Sequence, residues 1–297
     1  DFCLSRGLGD VYKRQATGSL NDEVLRNLDE RLRYLRNLEE RKEQVISSIR
    51  EQEKLTPELE KQIQDAPTLV AVEDLYRPYR PKRRTRAIIA KEKGLEPLAN
   101  VISLQMIKEP LEQIAKDYVS EEKGVATVKD AIAGAKDILA ETVSDNAEYR
   151  TYIRKATMEQ GMLSSSAKDE TVSSVYEMYY NHEEPVKKVA GHRILALNRG
   201  EKEKILTVKI TAPRDQILRF LEKQLILRDN PYTTPVLQEV AEDSYDRLIA
   251  PAIEREIRSL LTDKAEDGAI KVFGKNLEQL LICLLYTSPS PRDRQKS

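Results

Sequence analysis

The chain has 297 residues, of which 49 are Lys or Arg and 50 are Asp or Glu, so its formal net charge is −1 at pH 7. Charged residues make up 33% of the chain and aromatic residues only 5%, with no tryptophan. That composition is typical of a helix-rich protein rather than a β-sandwich. No apolar run approaches the ~20 residues of a membrane-spanning helix, so we expect no membrane partner.

The two ends of the chain differ from the rest of it. The two cysteines lie there, at Cys3 and Cys283, and one short DNA string encodes both ends when it is read on opposite strands. This agreement indicates a sequencing adapter translated together with a gene fragment. We therefore expect residues 1–15 and 283–297 to be non-native, and the native gene to continue past Ile282. Neither cysteine then supports a disulfide, a metal site or redox chemistry.

The first native element is a long helix that Asn21 or Asp22 can cap and that runs to about Lys54. Its apolar residues recur at intervals of three and four, at Leu25, Leu28, Leu32, Leu35, Ile46 and Ile49, with Glu39 and Lys42 interrupting the series. A coiled-coil dimer and one arm of an intramolecular helical hairpin both fit this spacing, and the interruption favours the hairpin. A second helix should start at Thr56 and Pro57, which form an N-cap followed by proline at the first helical position.

The segment from Arg77 to Lys93 carries eight Lys or Arg residues and one acid, Glu92, which gives it a local charge of +7. Pro78 and Pro81 lack N–H groups and restrict the residues before them. We therefore predict a stiff, extended segment here rather than helix interior. A short helix should follow over residues 87–93 and end at Gly94.

A basic segment with tyrosines can contact nucleic-acid phosphates while a ring stacks on a base. The candidate phosphate contacts are Arg77, Arg80, Lys82, Arg83, Arg84 and Arg86. Tyr76 or Tyr79 is the candidate for stacking. The alternative is a solvated loop whose arginines pair with acids on the surrounding helices, and composition does not distinguish the two interpretations.

The remainder of the chain is predicted to be mostly helical. Helices are indicated for residues 95–102, 111–119, 128–143, 145–160, 192–198, 217–227 and 233–261. Ser144 is the predicted cap between two of these helices, Gly200 a predicted C-cap, and Pro251 a predicted break. Residues 204–211 alternate and are β-branched, which predicts a strand.

Several connecting segments complete this prediction. Ser164, Ser165 and Ser166 predict a loop and a domain boundary. A cluster of tyrosines at Tyr176, Tyr179 and Tyr180 fits core packing better than a stacking platform. Residues 263–273 predict a polar connector, with another helix from residue 276.

Motifs for catalysis or metal binding are missing from the native segment. It contains no Gly-rich phosphate loop, no H-E-x-x-H and no C-x-x-C. His182 and His192, ten residues apart, would need distant carboxylates to bind zinc. We therefore expect no enzyme activity, no metal and no cofactor.

Three blocks of sequence resemble one family. They are LYRPYRPKRRTRAIIAKEKGLEPLA at residues 75–99, HRILALNRGE at residues 192–201 and FGKNL at residues 273–277. Together they resemble the bacterial Tex family of transcription accessory proteins, and the likeness is nearly collinear over residues 20–282.

The resemblance implies a mainly α fold of many helices, with a helix-turn-helix-like element and one short strand region near residues 204–211. Residues 16–165 would form an N-terminal Tex-like helical domain that contains the basic motif at 76–93. Residues 166–282 would form a central helical region. A ribonuclease-H-like module, helix-hairpin-helix repeats and an S1 RNA-binding domain would follow in the family, beyond this chain.

The resemblance also implies a function and a place of action. By the resemblance, the chain is expected to belong to a cytoplasmic transcription accessory protein that binds RNA or DNA and meets RNA polymerase or ribosome-associated factors. The basic motif is the part carried over residue by residue, and the 192–201 block is interpreted as structural, with Arg193 and Arg199 paired to acids. The alternative is a helical scaffold that docks on the transcription machinery and binds no nucleic acid.

Overall fold

The computed structural model describes residues 22–81, 84–120, 124–169 and 173–287. It divides the chain into two compact units, one up to Pro81 and one from Lys82 onward. The described residues are mainly helical, with one small three-stranded sheet, which confirms the predicted fold class. None of the described helices combines the length and apolarity needed to cross a bilayer. The helix-turn-helix-like element stays a prediction.

The first unit contains α1 (Asp22–Glu51), α2 (Pro57–Asp65) and α3 (Leu69–Tyr76). Thr56 caps α2 by accepting a hydrogen bond from the Leu59 amide, and Pro57 opens the helix, as predicted. The second half of α1 packs on the two shorter helices through a core that includes Val45, Ile49, Ile63 and Val72. This packing within one chain is the hairpin that the interrupted apolar spacing favoured.

The helices that come first in the second unit are α4 (Arg86–Glu92), α5 (Glu96–Leu104), α6 (Leu111–Lys116), α7 (Val128–Asp145) and α8 (Ala147–Gln160). The cap predicted at Ser144 is wrong, because Ser144 is a buried residue of α7 whose hydroxyl donates to the Glu141 carbonyl. Asn146 caps α8 instead, since its side-chain oxygen accepts from the Glu148 and Tyr149 amides. Ser144 and Asn146, two positions apart, thus have different roles that a sequence pattern cannot distinguish.

The sheet of the second unit contains β1 (Met162–Ala167), β2 (Asn181–Pro185) and β3 (Leu206–Thr211) in the order β2-β1-β3, with antiparallel pairing throughout. The loop predicted at Ser164 to Ser166 is wrong, because these serines form the central strand. The strand is held by neighbours on both sides, and the Ser165 hydroxyl donates to the Tyr179 carbonyl at 2.5 Å. The predicted domain boundary lies within this unit, and the assignment of residues 16–165 and 166–282 to two domains stays a prediction.

Helix α9 (Gly191–Lys202) leads into β3. The prediction of Gly200 as a C-cap is wrong, because Gly200 is a buried residue inside the helix. A Cβ at this position would lie 2.6 Å from Cδ1 of Leu206, so the glycine permits close approach of the strand. The positive φ that ends the helix belongs to Lys204.

The last described elements are α10 (Arg214–Leu225), α11 (Thr234–Asp243), a π-helical segment (Ser244–Ile249) and α12 (Ala250–Thr287). The break predicted near Pro251 takes the form of this π-helical segment. The polar connector predicted at residues 263–273 is wrong, because α12 continues through it and through the helix predicted from residue 276. The charged residues of the 263–273 segment occupy exposed positions of this long helix rather than a loop.

The larger core of the second unit lies between α8, α9, the sheet and the start of α12. Tyr176 and Tyr180 belong to it, with 6% and 9% of their surface exposed, so core packing of the tyrosine cluster is confirmed for these two residues. A second cluster lies among α4, α5 and α7 and includes Leu95, Leu98 and Ile102.

Gln105 joins α5 to the segment after α10. It has a left-handed φ of 54° and is 5% exposed. Its side-chain nitrogen donates to the Leu225 carbonyl at 2.6 Å, and its side-chain oxygen accepts from the Leu227 and Arg228 amides at 3.0 and 2.8 Å. Asn230 in turn donates to the Gln105 carbonyl at 3.3 Å.

We expect Gln105→Ala to lower the free energy of unfolding by at least ~2 kcal/mol, because it leaves one carbonyl and two amides without their partner. Chemical denaturation measures the change. Gln113→Ala, at an exposed position of α6, is the control and should change stability by less than ~0.5 kcal/mol. Equal stability of the two variants would contradict the role given to Gln105.

We expect Gly200→Ala to destabilise the protein by about 1–2 kcal/mol. Overpacking against the buried Leu206 costs ~1–3 kcal/mol, which outweighs the ~1 kcal/mol that alanine gains over glycine in a helix. Gly274→Ala is the matched control, because no atom lies within 4 Å of its added Cβ. Thermal unfolding should show a lower melting temperature for Gly200→Ala and an unchanged or higher one for Gly274→Ala. A Gly200→Ala variant more stable than the unmodified chain would contradict the close approach of Leu206.

Candidate nucleic-acid interface

The basic motif begins where α3 ends, at Tyr76. Pro78 cannot donate a helical hydrogen bond, and the amides of Tyr79 and Arg80 both donate to the Tyr76 carbonyl, at 2.9 and 3.0 Å. The chain therefore makes a compact turn over residues 77–79. The extended conformation predicted for this segment is wrong, because both free amides find a partner in the last turn of the helix.

Tyr76 is not available for stacking on a base. Its side chain is 8% exposed in the core of the first unit, and its hydroxyl lies 3.0 Å from that of Ser48. The guanidinium of Arg41 lies 5.7 Å from the centre of its ring. The alternative of stacking through Tyr76 is therefore wrong.

Tyr79 is half-buried and packs against the same core. Its carbonyl accepts a hydrogen bond of 3.0 Å from the side chain of Gln52, which fixes the turn. The ring retains partial exposure, and its use for stacking stays a prediction.

The cations of the first unit differ in exposure. Arg77 is half-buried and has helical backbone angles just after α3. Arg80 is exposed, and within the part of the chain that the structure describes it forms no ion pair. Lys82 and Arg83, the next two candidates, lie outside the described residues.

The cations of the second unit surround the start of α4. Thr85 caps the helix by accepting from the Ile88 amide at 3.2 Å, which places Arg86 at the first helical position. Arg86 is exposed and forms no ion pair with any described residue. Arg84 is also exposed and donates to the Glu92 carboxylate at 2.9 Å.

The ion pair between Arg84 and Glu92 bears on whether Arg84 can contact a phosphate. The two side chains are 71% and 54% exposed. An exposed pair of this kind contributes ~0–1 kcal/mol, so a phosphate can replace the carboxylate at little cost. The local pairing that the alternative interpretation expects therefore exists for Arg84, but it does not prevent phosphate contact.

The structure thus distributes the candidates over both units. Arg77, Tyr79 and Arg80 belong to the first unit, whereas Arg84 and Arg86 belong to the second. Phosphate contact by each of them stays a prediction.

His182 and, in the 192–201 block, Arg193 both lie beside the carboxylate of Glu184. Arg193 donates to the Glu184 carboxylate at 2.8 Å, and Nε2 of His182 lies 3.4 Å from the same carboxylate. Burial raises the pKa of Glu184, but the hydrogen bonds from Arg193 and His182 outweigh burial and hold that pKa below its ordinary value. The acid partner predicted for Arg193 is confirmed. Among the described residues, no three His, Cys, Asp or Glu side chains are grouped to hold a metal ion.

A groove in the second unit was missed by the sequence analysis. It has a volume of about 890 Å³ and lies between the start of α9 and residues 260–276 of α12. The sequence feature that could have revealed the groove is the helical spacing of the apolar residues Leu261, Ala265, Ala269 and Phe273. Their charged neighbours concealed it, since four of the residues at 263–267 are charged.

Two family models match the chain. One is described as the Tex-like protein N-terminal domain and matches residues 11–50, and the other as Tex central region-like and matches residues 108–273.

Similar proteins occur in bacteria and in animals. Protein YdcI of Bacillus subtilis is 48% identical over 91% of this chain and 38% of its own length. The transcriptional accessory protein Tex of Neisseria gonorrhoeae is 36% identical over 91% of this chain and 36% of its own length. The S1 RNA-binding domain-containing protein 1 of Homo sapiens is 28% identical over 94% of this chain and 29% of its own length.

The chain therefore spans little more than a third of the length of the two bacterial relatives, and less than a third of the human one. The match of the central-region model alone covers more than half of the chain. The chain belongs to the Tex family.

Proposed function

We propose that this chain contributes sequence-independent nucleic-acid binding to a cytoplasmic transcription accessory protein, as a binding module without catalytic chemistry. The exposed arginines of the basic motif would contact backbone phosphates of RNA or DNA. The observation that carries the proposal is the exposure of Arg80, Arg84 and Arg86, with Arg84 held by no more than an exposed surface pair.

The relatives support this proposal by their names. One is a transcriptional accessory protein, and another is an S1 RNA-binding domain-containing protein. A molecule with a net charge of −1 that concentrates +7 in seventeen residues presents a local positive field to a polyanion.

The alternative is a scaffold that docks on the transcription machinery, for example on RNA polymerase. It gives the same arginines a different role, because they would pair with acids such as Glu92 and stabilise the fold. The two roles differ in what happens when either partner of the pair is removed.

We expect the double variant Arg84→Ala and Arg86→Ala to weaken binding to all sequences alike. Each lost phosphate contact should reduce the slope of log affinity against log salt by ~0.7 for single strands and ~0.9 for duplexes. Fluorescence anisotropy with labelled single-stranded RNA and duplex DNA across a salt series measures both effects.

The control for this variant is the pair Arg219→Ala and Arg228→Ala, which removes the same charge from exposed positions of the same unit. Its salt slope should equal that of the unmodified chain. Equal slopes for the two double variants would overturn the proposal, and no binding at low salt would leave the scaffold as the function.

We expect Glu92→Gln to raise affinity for nucleic acid by up to about fivefold, because it releases Arg84 and removes a competing negative charge. The limit corresponds to the ~1 kcal/mol of an exposed pair. Glu112→Gln, at an exposed position of α6, removes a charge of the same sign and should change affinity less. A Glu92→Gln variant with lower melting temperature and unchanged affinity would support the scaffold instead.

A further inference from the structure

The groove beside α12 has an apolar interior. Its walls include Met158, Val189 and Leu195 on one side and Leu260, Val272 and Phe273 on the other. The three α12 side chains are 49%, 61% and 67% exposed. Large apolar side chains exposed together along a concave surface are typical of an interaction site rather than of a scattered surface.

The floor of the groove is shaped by small residues. Gly191 opens α9, and a Cβ there would lie 3.2 Å from the Cα of Ala265. Gly268 and Ala269 continue this surface along α12. Small side chains on a groove floor allow another backbone to approach closely, which suits an elongated occupant.

The length of the groove suits a helix. Its α12 wall extends from Leu260 to Asn276, which is roughly 24 Å at 1.5 Å per residue. Helices that bind in grooves anchor themselves through apolar residues at positions i, i+3 or i+4, and i+7. About four turns of helix would cover this wall.

The charges beside the groove are asymmetric. Lys187 and Lys264 line it and are exposed, against the single acid Glu159. The acids Asp263 and Glu266 of α12 lie at positions outside the lining. An occupant with acidic flanks would therefore face an excess of positive charge, whereas the apolar walls disfavour a nucleic-acid backbone.

We propose that this groove binds an amphipathic α-helix of a partner protein, with an apolar seam that fills the groove and acidic residues that face Lys187 and Lys264. This surface is separate in sequence from the basic motif, and its role does not depend on nucleic-acid binding.

The test uses the full chain and a phage-displayed library of 18-residue helical peptides that have a fixed leucine seam and randomised flanking positions. Selected peptides should be enriched in Asp and Glu at the flanks. The consensus peptide should bind at least tenfold more tightly than a version with lysines in place of its acids, as measured by anisotropy.

Variants of the chain locate the binding site. Ala269→Arg places a charge inside the groove and should abolish peptide binding, whereas Ile270→Arg, at the next position but outside the lining, should not. Lys187→Glu with Lys264→Glu should reverse the charge preference. Circular dichroism checks that each variant remains folded.

Three outcomes would overturn the proposal. One is a selected pool without acidic flanks, or with binding that Ala269→Arg leaves unchanged. Another is a dimer of the chain that Ala269→Arg dissociates, which would make a second copy the occupant. The third is displacement of the peptide by RNA that persists in the Arg84→Ala, Arg86→Ala variant, which would assign the groove to nucleic acid.

Discussion

The second unit depends on the side chains of one short stretch of α12, Glu254, Glu256 and Arg258. Glu254 accepts a hydrogen bond of 3.0 Å from the Ile210 amide on the open edge of β3, and Arg258 pairs with Glu201 of α9. Glu256 accepts from Arg154 at 3.0 Å and lies 3.6 Å from Arg150, which is 1% exposed. The stretch thus covers a sheet edge and places a carboxylate beside a buried cation.

The sequence predicted those parts of the fold that local chemistry decides. Thr56 with Pro57 defined the start of a helix, and Gly94 lies with a left-handed φ of 81° directly after the turn that ends α4. The predictions failed where distant residues decide. The serines of β1 form a strand because two other strands pair with it, and Gly200 stands inside a helix at a position where Leu206 approaches too closely for a side chain. Neither partner could be identified from spacing along the chain.

The candidate interface shows the same division. A run of arginines broken by prolines predicts exposure, and the described Arg80, Arg84 and Arg86 are exposed. The fate of a tyrosine in that run depends instead on what packs beside it. The Tyr76 hydroxyl lies 3.0 Å from that of Ser48, 28 residues earlier in the chain, and the Tyr76 ring belongs to the core beside α1. The local sequence around Tyr76 could not show whether this ring is free to stack on a base or is buried in a core.

The two proposed binding surfaces, the basic motif and the groove, depend on different interactions, and this separates them experimentally. Phosphate contact by arginines releases counterions, so its affinity falls steeply as salt rises. Burial of a leucine seam in an apolar groove depends on area removed from water and is strengthened by excluded salts. The lysines beside the groove add an electrostatic contribution that salt screens, with a range of ~8 Å at physiological ionic strength. On the two proposals, ionic strength alone would therefore weaken the binding of nucleic acid while a protein helix stays bound in the groove.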